Sequence, residues 1–91
     1  MPSVFLKVYG KVQGVFFRQS TQVKANELGI TGLVSNATDG TVEITAQGEE
    51  QNLNYFILWC HRGPERARVD TVETRNVPGY FSFDSFEIRY R

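Results

Sequence analysis

Thr31-Gly32-Leu33-Val34-Ser35-Asn36-Ala37-Thr38-Asp39-Gly40-Thr41-Val42-Glu43-Ile44-Thr45-Ala46-Gln47-Gly48 is the stretch from which the rest of the chain can be placed. Two strand-like runs, 31–38 and 41–48, flank Asp39-Gly40. An Asp-Gly pair between such runs is the strongest short-range hairpin signal, because both central residues of a type I′ turn need positive φ. In the second run Val42, Ile44 and Ala46 alternate with Thr41, Glu43, Thr45 and Gln47, so one face is apolar and the other wet. Such a hairpin needs a second layer over its apolar face.

The covering layer reads on either side of it. Residues 20–28 carry Thr21, Ala25 and Leu28 at i, i+4 and i+7 with no internal Gly or Pro, and Gly29 stands where a helix stops. Residues 49–62 form the stronger pattern, with Leu53, Phe56, Ile57 and Cys60 at i, i+3, i+4 and i+7. Glu49 and Glu50 suit the positive end of that helix, His61 and Arg62 the negative end, and Gly63-Pro64 stops it.

One step further out lie the remaining strands. Val4, Leu6 and Val8 alternate with Phe5, Lys7 and Tyr9, a first strand. Residues 67–77 read as a fourth, with Val69 and Val72 out of alternation, which predicts a bulge or an edge position. After Pro78-Gly79 and the aromatic Tyr80, Phe81 and Phe83, a short last strand puts Phe86, Ile88 and Tyr90 on one face. The order predicts an α+β fold, the ferredoxin-like split βαβ arrangement (βαββαβ plus a short terminal strand), with two helices on one face of a mostly antiparallel sheet. With 91 residues and no linker or repeat, 1–91 reads as one domain.

Composition removes several classes of function. Ten acidic residues balance ten basic ones without a basic block, so the electrostatic footprint of a nucleic-acid binder is missing, as is any draw toward an anionic membrane. One cysteine, Cys60, and one histidine, His61, preclude an intrachain disulfide and a zinc site of N and S ligands. No signal-peptide pattern and no spanning apolar run is present, and a cytoplasmic location is expected. Any anion site must therefore be local.

The local candidate is Gly10-Lys11-Val12-Gln13-Gly14-Val15-Phe16-Phe17-Arg18, between the first strand and the first helix. Two glycines four apart allow positive φ and a close backbone approach. Successive N–H groups in such a turn form an anion-binding concavity, to which the following helix adds its positive end. Arg18 at the loop's exit offers a planar fork that matches two oxygens of a phosphate. A Gly-rich strand-to-helix turn can also be a turn and nothing more, and neither G-x-x-x-x-G-K-[ST] nor G-x-G-x-x-G is present. The crossover predicts a second strand parallel to the first, so Asn36 near its end can approach this loop and handle water as donor and acceptor.

Together, Gly10-x-Val12-Gln13-Gly14-Val15-x-Phe17-Arg18 and Gly32-x-Val34-x-Asn36, with Gly40-x-Val42 and Gly48 following, resemble the two signatures of the acylphosphatase family. The element order, the Gly63-Pro64 stop and the length extend the resemblance to essentially the whole chain. Leu33 and Ser35 depart from it, where the family usually has an aromatic and often a basic residue. The resemblance implies hydrolysis of carboxylic-phosphoric mixed anhydrides. In that reading Arg18 and the backbone N–H groups of Gln13, Gly14, Val15, Phe16, Phe17 and Arg18 hold the phosphate, and Asn36 positions the attacking water. No metal or other cofactor is expected, the partners being a small acyl phosphate and inorganic phosphate, and the protein a monomer.

The remaining candidates read as structural. His61 serves the helix dipole and Cys60 the core, while Tyr55 and Trp59 pack on a helix flank and Phe16 and Phe17 anchor the loop from below. Two rival functions share the fold. An RNA-recognition sheet needs aromatic and basic residues on its open face, where 41–45 offers Thr and Glu. A non-catalytic anion-binding domain would keep the cradle without turnover; the presence of both Arg18 and Asn36 and a chain ending at Arg91 favour a stand-alone enzyme.

Overall fold

The structure, a computed structural model, describes residues 1–77 and 83–90. Five strands and two helices follow one another as β1 (Ser3–Lys11), α1 (Phe17–Glu27), β2 (Thr31–Asn36), β3 (Val42–Gln47), α2 (Glu50–Arg62), β4 (Arg68–Asn76) and β5 (Phe86–Arg89). The strands form a mixed sheet in the order β4-β1-β3-β2-β5, antiparallel at every pairing except β2 with β5, which is parallel. This is the ferredoxin-like arrangement read from the sequence. The Pro78-Gly79 turn, Tyr80 and Phe81 lie outside the described residues, and Phe83 is half-buried.

Alternation and helical spacing account for the core. Val4, Leu6 and Val8 of β1 and Val42, Ile44 and Ala46 of β3 are all buried, beneath Thr21 and Ala25 of α1 and Leu53, Phe56 and Cys60 of α2. Phe56 is fully buried and meets the Phe86 ring edge-on, centroids 5.9 Å apart. Cys60 is a core residue, and burial alone pushes its thiol well above the usual range. Trp59 packs its ring on Phe17 at 5.8 Å, whereas Tyr55 is exposed and does not share the packing role expected of it.

Several element ends, and the hairpin turn, differ from the sequence reading. Helix α1 starts at Phe17, three residues early, so Arg18 lies in its first turn and not in the loop. The hairpin turn is not type I′, since Gly40 has φ 89° while Asp39 does not have positive φ. Instead the Ala37 carbonyl accepts from Gly40 N–H at 3.3 Å and Ala37 N–H donates to Thr41 O at 2.9 Å, a three-residue loop with glycine in its left-handed position. Asp39 accepts from Thr41 N–H and Oγ1–H, so its short side chain closes the loop and β2 ends at Asn36.

Gly10 also has a different task from the one its place in the motif implies. Strand β1 runs through it to Lys11, and the pairing with β4 shifts there, Tyr9 facing Thr71 and Gly10 facing Val69, so Asp70 is the extra residue of a bulge on an edge strand. Its φ is 133°, and a Cβ would clash with the Arg68 carbonyl oxygen. Gly10 thus serves strand pairing, and the loop to α1 begins after Lys11.

The open face of the sheet bears on the RNA reading. Phe5 and Tyr9 of β1 lie there, but Arg75 covers the Phe5 ring at 5.2 Å, and Tyr9 donates its hydroxyl to Glu73 at 2.6 Å with the Lys7 ammonium 5.8 Å from its ring. Each ring thus already has a partner within the sheet.

Candidate active site

Since β1 and β2 both pair antiparallel with β3, they run parallel to each other, and their C-terminal ends share one edge of the sheet. The loop leaving β1 and the end of β2 meet there, around a cleft of about 180 Å³. Val12, Gly14, Phe16, Phe17, Arg18 and Gln19 form one wall, and Asn36 stands opposite in sequence but on the same cleft. Among the described residues, no acidic side chain lines it.

The N-terminus of α1 opens onto this space. Phe16 is the N-cap, with φ 63° and ψ 26°, and no side chain among the described residues caps the helix. Ser20 N–H makes the first bond back, to the Phe16 carbonyl at 3.0 Å. The N–H groups before it are those a helix leaves without internal partners, and with no acidic residue in the first turn their partial positive charge is unopposed. Gly14, with φ 74° and open space where a Cβ would point, lets the loop curl toward the helix. A left-handed non-glycine residue costs about 1–2 kcal/mol, and Phe16 is the one such residue among those described.

Arg18 and Asn36 both reach the cleft without being consumed by the fold. Among the described residues Arg18 makes no ion pair, and its guanidinium carbon lies 4.7 Å from the centre of the Tyr90 ring. Asn36 has a buried Oδ1 with no hydrogen-bond partner among the described residues. A buried acceptor left unpaired costs about 1–3 kcal/mol, so it calls for a partner such as a water, an ion or a ligand.

Of the other residues expected in the cradle, Gly14, Phe16 and Phe17 line the cleft, whereas Gln13 and Val15 do not. Val15 is a core side chain. Gln13 turns its amide across the gap, Nε2 donating to the Ala37 carbonyl at 2.8 Å and the Thr41 carbonyl at 2.9 Å, so the loop is tied to the hairpin beside Asn36. Phe17 anchors the loop from below as expected, being buried against Trp59, but Phe16 faces outward at 60 % exposure. The sequence reading missed Val12 and Gln19 as cleft residues and Tyr90 as the partner of Arg18. Alternation places Tyr90 on the apolar face with Phe86 and Ile88, yet it lies past the end of β5 and is exposed. Its alternation carried no sign of a cation above its ring.

Comparison with known proteins agrees across the whole frame. A family model described as Acylphosphatase matches residues 4–88. The acylphosphatase of Marinobacter nauticus is 53% identical over 81 residues, which cover 89% of this chain and 88% of that protein. The crystal structure of acylphosphatase from Bacillus subtilis superposes with a TM-score of 0.95 at 32% identity, covering 99% of this chain and 100% of that one. The crystal structure of HypF from T. kodakarensis contains the same fold, TM-score 0.88 at 29% identity, over 100% of this chain but only 12% of its own length.

Proposed function

Because the chain belongs to the acylphosphatase family, we propose that it hydrolyses acyl phosphates to a carboxylate and inorganic phosphate, with Arg18 and Asn36 acting on one phosphoryl group. The observation that carries the proposal is the cleft itself: Arg18, without an ion pair among the described residues, and Asn36, whose buried Oδ1 has no partner among them, line the same space. The backbone N–H groups of 13–18, nearest the uncapped start of α1, supply the remaining donors.

The chemistry asks for little more. Phosphoryl transfer depends chiefly on positioning and on stabilising charge at the equatorial oxygens, which a guanidinium fork and several N–H donors provide. A water held by the Asn36 amide attacks phosphorus in line with the departing oxygen, the P–O bond to the acyl group breaks, and its electron pair leaves with the carboxylate. A carboxylate, with a conjugate-acid pKa of about 4, departs at neutral pH without a general acid. Asn36 cannot take a proton, so the water's proton passes to an oxygen of the substrate's own phosphoryl group. The scheme uses no metal and no cofactor. The protein acts as a single monomeric cytoplasmic domain on small molecules, with inorganic phosphate as product and inhibitor.

The test is benzoate release from benzoyl phosphate in EDTA by wild type, Arg18→Ala and Asn36→Ala, with phosphate inhibition measured alongside. Arg18→Ala is expected to lose turnover and phosphate affinity together, and Asn36→Ala to lose turnover with a smaller change in phosphate affinity. Equal loss of phosphate affinity in both variants contradicts the division of roles. A wild type that binds phosphate yet leaves benzoyl phosphate intact moves the reading to a non-catalytic anion-binding domain.

A further inference from the structure

A phosphate held by Arg18 and the loop occupies a cleft of about 180 Å³, below the ~300–1,000 Å³ of pockets that enclose a whole ligand. The acyl group, joined to phosphorus through one bridging oxygen, must then rest at the cleft's mouth. Among the residues on the wall, Val12 and Phe17 are buried beneath it, Gly14 has no side chain, and Arg18, Gln19 and Asn36 are polar. Among the described residues of the wall, Phe16 is the one left as an apolar surface that an acyl group can touch.

Two further features set that ring apart. Its backbone is held in the left-handed region at φ 63°, a conformation an L side chain rarely adopts, and this turns the ring outward at 60 % exposure while its neighbour Phe17 enters the core. The Arg66 guanidinium, which makes no ion pair among the described residues, lies 5.9 Å from the centre of the Phe16 ring. A cation at that range is drawn to a ring face and restrains the ring's orientation.

We propose that Phe16 is the acyl-group platform of the cleft, its ring oriented by Arg66, and that it makes the site selective for acyl phosphates with an aromatic acyl group over those with a small aliphatic one. This rests on the reading of the protein as an acyl phosphate hydrolase. Stacking between aromatic rings prefers offset or edge-on geometry and corresponds to a preference of about three- to tenfold. Phe16 is a specificity residue through its side chain, separate from the N–H groups of the loop.

The ratio of kcat/KM for benzoyl phosphate to that for acetyl phosphate tests this, because partial misfolding lowers both values and leaves the ratio intact. Phe16→Ala is expected to lower the wild-type ratio about three- to tenfold, and Phe16→Tyr, which keeps the ring, to preserve it. Phe16→Leu, which keeps bulk and loses the ring, carries the same comparison where Phe16→Ala does not fold. A ratio unmoved in Phe16→Ala and Phe16→Leu overturns the platform while leaving the hydrolase reading standing. A wild type inert toward both acyl phosphates overturns the hydrolase reading and the platform with it.

Discussion

The side-chain amide of Gln13 spans the gap between the loop after β1 and the carbonyl of Ala37, at 2.8 Å, next in the chain to Asn36. With the second bond to Thr41 O at 2.9 Å, one residue holds the two halves of the cleft in register. Each such bond is worth about 1 kcal/mol net. Gln13→Ala is expected to lower stability by about 1–2 kcal/mol and to lower kcat, since the loop and Asn36 are no longer tied. Gln13→Glu is expected to be worse than Gln13→Ala, because a carboxylate would face two carbonyl oxygens and can donate to neither. Urea denaturation and benzoyl phosphate kinetics on the two variants check both statements; a more active Gln13→Glu would contradict the clamp.

Arg18 stacks on the Tyr90 ring, which restrains its guanidinium. An exposed cation–π contact contributes about 0.5–1 kcal/mol. Tyr90→Leu is expected to weaken inhibition by inorganic phosphate about two- to fivefold, with the fold unchanged by circular dichroism. Arg18→Lys is expected to be nearly as damaging as Arg18→Ala, because an ammonium does not reproduce the planar fork. Phosphate inhibition constants for the three variants decide it.

Gly10→Ala places a Cβ against the Arg68 carbonyl oxygen at φ 133°. Neither partner is a flexible side-chain end, so one strand must move. Overpacking and backbone strain each cost about 1–3 kcal/mol, and a loss of at least about 2 kcal/mol is expected in equilibrium unfolding. A variant as stable as wild type would show that the β1–β4 bulge can relax.

The pH dependence of stability has an identifiable contributor in Asp39. The Thr41 hydroxyl, then the Lys7 ammonium at 2.9 Å, then the Thr41 N–H hold its carboxyl well below the usual carboxylate range. A carboxyl whose pKa is lowered on folding adds stability above its unfolded value near about 4, and that contribution fades as pH falls through the folded value. Asp39→Asn is therefore expected to unfold more easily than wild type near neutral pH, the gap narrowing toward about pH 3. Thermal midpoints across that range check the sign; a gap that widens in acid would contradict it.

Much of the architecture was legible in residue order. Periods of two and of 3.6 marked Val4, Leu6 and Val8, Val42, Ile44 and Ala46, and Leu53, Phe56, Ile57 and Cys60 as the faces that pack together, and all are buried except Ile57, which is half-buried against them. The misfit of Val69 and Val72 marked the bulge on the edge strand. The start of α1 was misread because Phe16-Phe17 gives no capping signal, the left-handed turn at Phe16 replacing a side-chain cap. Asp39-Gly40 marked a turn correctly but not its type, which the Asp39 bonds to Thr41 determine.

Local spacing, then, determined the layers, the hairpin and the two motifs, because burial of one face of a strand or helix depends only on which side chains recur on it. Tertiary structure alone decided that Gln13 reaches Ala37, that Tyr90 lies under Arg18, and that Phe16 turns out while Phe17 turns in. Those contacts join residues whose separation along the chain says nothing of their distance in space. They exist only once β1 and β2 lie parallel on either side of β3 and bring their ends to one edge.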